Sequence, residues 1–171
     1  CINGAAVTDH VGALLSCGAP REALVGCHNY YPHRYTGVSL DYFMRGTEHW
    51  AKRGMRLQAF VSSNAPEAFG PWPVTEGLPT LEMHRDLPIE VQLKHFVMMG
   101  CVSDVLIGNC FATDDELAAM ERANSDRVRF TTRLVDDLPE DMARRLGMNL
   151  SVRGDCTSGY MIRTLESRMD P

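Results

Sequence analysis

Ala23-Leu24-Val25-Gly26-Cys27 is a continuous apolar run that opens directly into His28-Asn29-Tyr30-Tyr31-Pro32-His33-Arg34-Tyr35-Thr36-Gly37. An apolar run without alternation suits a strand buried on both faces, as in a parallel sheet covered by helices. Ser39 then reads as the N-cap of a helix over 40–53, closed by Gly54. Met55-Arg56-Leu57-Gln58-Ala59-Phe60-Val61 is the next strand. Strand, polar loop, capped helix, strand is the rhythm of an α/β fold.

The rhythm extends both ways. Upstream, the first βα unit starts from Ile2, and Thr8–Cys17 reads as a helix capped by Thr8 and ended by Gly18. Downstream of Val61 runs a loop rich in Pro, Gly and Ser, about 25 residues long, a length that in a compact domain marks function or motion. Pro88 opens a helix to Met99 with Gly100 at its end, and Asp104-Val105-Leu106-Ile107-Gly108 is another buried-type strand. Thr113-Asp114-Asp115-Glu116 is a capping box for a helix to Ala123. Beyond it, Arg127 to Leu134 alternates like a strand, Pro139 to Leu146 is helical, and a last strand is expected near Asn149–Arg153. We therefore expect an α/β layer over residues 1–126 and a linker leading into a second domain over 127–171.

Four βα units make half of an eight-stranded barrel or most of a small doubly wound sheet. The chain has no Gly-x-Gly-x-x-Gly and no Gly-x-x-x-x-Gly-Lys, which removes support from nucleotide-binding doubly wound folds. Asn3, His28-Asn29-Tyr30-Tyr31, Ser62-Ser63-Asn64 and Asn109 all follow strands, at the edge where barrels build their sites.

Composition excludes several classes. With 171 residues, 44% apolar and 23% charged, the chain is globular rather than disordered. A net charge of −5 argues against nucleic acid as a partner, and no run is long enough for a membrane span. Six cysteines without a Cys-x-x-Cys pair, together with ten methionines, point to mostly buried structural thiols and a cytoplasmic setting. The chain starts at Cys1 in sequence that reads like the inside of a domain, so we expect a fragment of a longer protein.

Two constellations carry chemistry. The 27–37 segment packs imidazoles, phenols, an amide and Arg34, able to bond a polyhydroxylated ligand and stack on a sugar, or simply to close the sheet edge. Glu76-Gly77-Leu78-Pro79-Thr80-Leu81-Glu82-Met83-His84-Arg85 offers two carboxylates for acid–base work, or a solvated surface loop. No His-x-x-x-His or His-Glu-x-x-His pairs the six histidines, so neither a metal nor another cofactor is expected. His10, His49 and His95 fall in helices, where packing or surface roles suffice. Arg34 and Arg85 could serve an anionic ligand.

His28-Asn29-Tyr30-Tyr31-Pro32 followed by Thr36-Gly37-Val38-Ser39 resembles the His-Asn-Phe-Tyr-Pro…Thr-Gly-Leu-Ser signature of the bacterial 6-phospho-N-acetylmuramidase family, formerly labelled "outer surface protein". Ile2-Asn3-Gly4-Ala5, the Glu76–Arg85 segment, Asp104–Gly108, Arg153-Gly154-Asp155 and Ile162-Arg163-Thr164 are similar to its stretches in the same order. Tyr30 stands for a Phe, and Asn109 for a frequent acidic residue. The resemblance implies the C-terminal half of a (βα)8 TIM-type barrel, then the start of a cyclophilin-like β domain. It implies a glycosidase that cleaves 6-phospho-N-acetylmuramyl-N-acetylglucosamine in cell-wall recycling, its partner being that disaccharide. Glu76 and Glu82 are the catalytic candidates; Asn3, His28, Asn29, Tyr31, Arg34, His84 and Arg85 are the substrate-binding ones. Two alternatives stay open. One is a phosphosugar isomerase or aldolase, disfavoured because Lys52 and Lys94 are the only lysines and both lie in predicted helices. The other is a half-barrel without activity that pairs as a homodimer.

Overall fold

The computed structural model describes residues 1–4, 10–71, 76–130, 132–156 and 158–166. They divide into two compact units, Cys1–Val128 and Arg129–Pro171. The first unit holds β1 (Ile2–Asn3), α1 (His10–Ser16), β2 (Val25–Cys27), α2 (Leu40–Ala51), β3 (Arg56–Val61), α3 (Ile89–Met99), β4 (Asp104–Ile107) and α4 (Asp114–Ala123). The four strands form one parallel sheet in the order β1-β2-β3-β4. Sheet neighbours are chain neighbours, so these strands contain no switch point of the doubly wound kind.

Local chemistry fixes the elements where the sequence put them. Ser39 Oγ accepts the Tyr42 N–H at 3.2 Å, and Thr113 with Glu116 closes a reciprocal capping box on α4. Gly100 ends α3 in the left-handed region, φ 62°. Residues 23 and 24 fall outside β2 because Arg21–Ala23 form a 3-10 turn after Pro20. The helix over 40–53 stops at Ala51. Thr8, the expected cap of α1, lies outside the described residues.

Alternation along β3 sends Leu57, Ala59 and Val61 to the helix layer and leaves Gln58 and Phe60 on the other face. Phe43 of α2 and Phe96 of α3 join Ala59, Val61, Leu81 and Ile89 in one buried cluster, with Met120 of α4 against it. Val11 of α1, Trp50 of α2, Met55 and Leu57 form a second. All four helices therefore cover the same side of the sheet. Trp50 reaches across β2, its Nε1–H donating to Gly4 O at 2.9 Å. That crossing requires Gly26, where a Cβ would meet the indole at 2.7 Å.

Three expectations fail. The described part of Arg127 to Leu134 is irregular, with Val128 and Phe130 exposed; alternation alone makes no strand where no neighbour supplies a ladder. Asn149–Arg153 yields only a single antiparallel bridge, Val152 to Thr164. The thiols are not mostly buried: Cys1, Cys17 and Cys110 are exposed, Cys101 and Cys156 partly so, and only Cys27 is buried. Within the second unit, α5 (Glu140–Leu146) begins with two acids and ends with two arginines, matching its dipole. Among the described residues no helix is long and apolar enough to cross a membrane.

Replacing Gly26 by Ala should overpack the Trp50 crossing and cost about 1–3 kcal/mol. A lowered urea midpoint with unchanged slope is the expected result; an unchanged midpoint would show that Trp50 moves aside freely.

Candidate active site

Because the strands are parallel, the loops after β2, β3 and β4 gather at one edge. There a cleft of about 300 Å³ is lined by Arg34, Ser63, Asn64, Glu76, Asp86 and Asn109, with Phe69 and Leu78 among its apolar walls. Its floor is riveted by side chains standing in for backbone. Asn109 Oδ1 accepts the Ser63 N–H and Asn109 Nδ2 donates to Ser63 O, both at 2.8 Å. An acidic residue could not make the second bond, which accounts for Asn at this position. Ser63 Oγ donates to Glu116 Oε2 at 2.7 Å, so the capping-box carboxylate of α4 also ties down the loop after β3. Gln92 of α3 bonds both the N–H and the carbonyl of Ser62.

The Glu76–Arg85 segment is chiefly a buried plug. Thr80 Oγ1 accepts the Phe60 N–H and donates to Asn29 O, each at 2.9 Å, filling the place where β2 and β3 part. Leu78, Thr80, Leu81, His84 and Arg85 are all buried. Glu82 takes four hydrogen bonds: Tyr35 N–H at 2.6 Å, Gly37 N–H at 2.8 Å, Arg85 Nε at 2.8 Å and Arg85 Nη2 at 2.6 Å. Arg85 Nη1 donates to the carbonyls of Tyr31, Glu76 and Gly77. The Arg85 guanidinium, with help from the Tyr35 and Gly37 amides, holds the Glu82 carboxyl down to about 2. A group so low and so fully bonded is a clamp, and it is poorly suited to deliver a proton near neutrality.

Glu76 is different. It is exposed at the cleft, and among the described residues its carboxylate receives one bond, from the Arg34 N–H to Oε2 at 2.8 Å. Arg34 makes a two-pronged pair with Asp86, at 2.6 and 2.9 Å; that pairing raises Arg34 and lowers Asp86 from their usual ranges.

His28 and His84 sit in the helix layer. His28 is fully buried, its ring 4.3 Å from Phe43, with Nε2 at 3.2 Å from Thr47 Oγ1. His84 is buried against Phe96, with Nε2 at 2.8 Å from His95 Nδ1. Neither His28 nor His84 has a partner at Nδ1 among the described residues, so each fits the neutral form that donates from Nε2. Burial pushes both pKa values down to about 4, with His95 adding to the effect on His84.

The predicted site residues thus separate. Glu76 and Arg34 line the cleft; Glu82 and Arg85 brace it; His28 and His84 are packed away from it. Asn3 and Asn29 are exposed at strand ends, and Tyr31 is half-buried with its N–H on Pro79 O. Sequence reasoning set Ser63, Asn64 and Asn109 at the site edge without a role, and it passed over Asp86, Phe69 and the neighbouring Phe111. Position after a strand was a usable signal for Ser63, Asn64 and Phe111; nothing local marks Asp86 or Phe69.

The family described as "6-phospho-N-acetylmuramidase, N-terminal" matches residues 1–122. The chain belongs to this family. Its name is that of a glycosidase. A crystal structure of an uncharacterized B. cereus protein is similar at 40% identity and a TM-score of 0.79, over 88% of this chain and 43% of that one. A conserved Enterococcus faecalis protein of unknown function is similar in fold at 24% identity and a TM-score of 0.65, over 74% of this chain and 35% of that one. The chain therefore spans less than half the length of either. No curated protein matches.

Two tests follow from the geometry. Arg85→Met should strand the Glu82 carboxylate and three carbonyls, lowering stability by about 3–5 kcal/mol; a loss near zero in chemical denaturation would contradict the clamp. For His28 and His84, the folded pKa of about 4 lies below the ordinary 6.5. Between those values the unfolded chain binds more protons, so stability should fall as pH drops from 6.5 to 4. Replacing His28 by Phe should flatten that fall; an unchanged pH slope would remove His28 as a contributor.

Proposed function

We propose that the protein carrying this chain hydrolyses the glycosidic bond of 6-phospho-N-acetylmuramyl-N-acetylglucosamine, releasing N-acetylglucosamine, in cell-wall recycling in the cytoplasm. Residues 1–126 are then the second half of a TIM-type barrel, and 127–171 open a cyclophilin-like domain. The observation that carries the reading is the cleft at the C-terminal edge of a sequentially ordered parallel sheet, with Glu76 facing it in a chain of this family.

The chemistry needs one carboxyl that protonates the leaving oxygen and one that stays ionised opposite it. Glu76 is our acid: it lines the cleft with a lightly bonded carboxylate. Asp86 lines the same cleft and is held low by Arg34, which suits the ionised partner or an electrostatic stabiliser. Glu82, first expected beside Glu76 as a catalytic group, becomes a positioning residue. Through Arg85 it holds the Glu76 carbonyl, and through the Tyr35 amide it holds the loop whose Arg34 N–H meets Glu76.

The test is release of N-acetylglucosamine from that disaccharide by the intact protein, followed by mass spectrometry. Glu76→Gln should lower turnover by about 10²–10⁴-fold with the fold intact. Wild-type turnover in Glu76→Gln would remove Glu76 as the acid.

A further inference from the structure

Phe69 and Phe111 are 50% and 72% exposed, yet their rings meet edge-on with centroids 5.5 Å apart. They come from two different loops, after β3 and after β4, joined by an antiparallel bridge in which the Cys110 N–H donates to Phe69 O at 2.8 Å. Phe111 holds a left-handed backbone, φ 62°, which a side chain with a Cβ adopts only at a cost. A strained, solvent-facing aromatic is neither a packing solution nor a turn solution, since Gly or Asn would serve the turn better. Phe69 is also a wall of the cleft that Glu76 faces.

The charge of that cleft selects among ligands. Among the described residues its lining carries one cation, Arg34, already paired with Asp86, and one further acid, Glu76. A phosphate or lactyl carboxylate would find no uncommitted cation there among the described residues. Among the described residues the wall around Phe69 is neutral, with Ala65, Ala68, Gly70 and Leu78. We propose that Phe69 and Phe111 form an aromatic platform that stacks on the apolar face of an uncharged N-acetylhexosamine. The cleft built by this chain is then the subsite for the leaving sugar, and the phosphorylated sugar binds beyond it. This rests on the glycosidase reading for the sugar's role as leaving group, but not for its binding.

The experiment uses the intact protein and two readouts: saturation-transfer NMR with free N-acetylglucosamine, and N-acetylglucosamine release from the phosphorylated disaccharide. The variants are Phe111→Gly, which relieves the backbone, and Phe69→Ala, with Phe69→Trp as the conservative control. The platform predicts at least a tenfold loss of saturation transfer and of kcat/KM in the first two, retention in Phe69→Trp, and a Tm for Phe111→Gly no lower than wild type. A merely structural Phe111 would instead lower Tm and leave transfer unchanged. Transfer that survives in both Phe111→Gly and Phe69→Ala, or that is absent from the folded wild type, overturns the platform. If the wild type shows transfer that the variants lose but releases no N-acetylglucosamine from the disaccharide, the platform stands and the muramidase reading falls.

Discussion

The Glu82–Arg85 ion pair organises the edge of the sheet. One buried guanidinium satisfies the carboxylate and three backbone carbonyls from two segments, while the carboxylate accepts two further amides from the 35–37 turn. Five donors in a rigid fork make this possible, and a lysine could not reproduce it. Gly37 belongs to the same arrangement, because a Cβ there would come within 2.6 Å of Glu82 Oε2. Tyr35, in the left-handed region at φ 68°, is held there by the hydrogen bond its N–H donates to Glu82 Oε1. Removing Arg85 would leave the Glu82 carboxylate unpaired and three carbonyls loose, and the loop presenting Arg34 and Glu76 would lose its reference point.

The same logic runs through the edge as a whole. Polar side chains are spent on backbone: Asn109 on Ser63, Gln92 on Ser62, Thr80 on Phe60 and Asn29, Glu116 on the Asn64 N–H. Loops that leave a parallel sheet run out of ladder partners, and each orphaned N–H or carbonyl must be satisfied by something else. Among the described residues, this bonded frame leaves Glu76, Arg34 and Asp86 as the charged groups lining the cleft. Pre-set geometry of this kind is what the proposed hydrolysis needs, since reacting groups must be held before the substrate arrives.

Much of the fold was legible because its determinants are local. Ser39, Thr113 with Glu116, and Gly100 announce helix ends by capping chemistry, and the strand-like runs around 25–27, 56–61 and 104–107 announce the strands, although β4 is half-buried rather than covered on both faces. The site was less legible because residue type does not reveal direction. His28 follows β2 and looks like a ligand-binding imidazole, yet it turns toward Phe43 and Thr47 in the helix layer. Glu82 and Arg85 look like an acid and an anion binder, but each is the other's partner across one turn. Asp86 and Phe69 acquire their places only through contacts with Arg34 and with residues 110–111, distant in sequence. Alternation in 127–134 misled for a related reason: a strand exists only beside another strand.

The division of labour between Glu82 and Glu76 is the centre of this account, and it has one direct probe. Carboxyl-carbon NMR of Glu82 across an acid titration should find it still ionised near pH 4, with a midpoint of about 2 set first by Arg85 and then by the Tyr35 and Gly37 amides. A midpoint at or above the ordinary 4.5 would contradict the clamp and return Glu82 to the candidates for the proton donor.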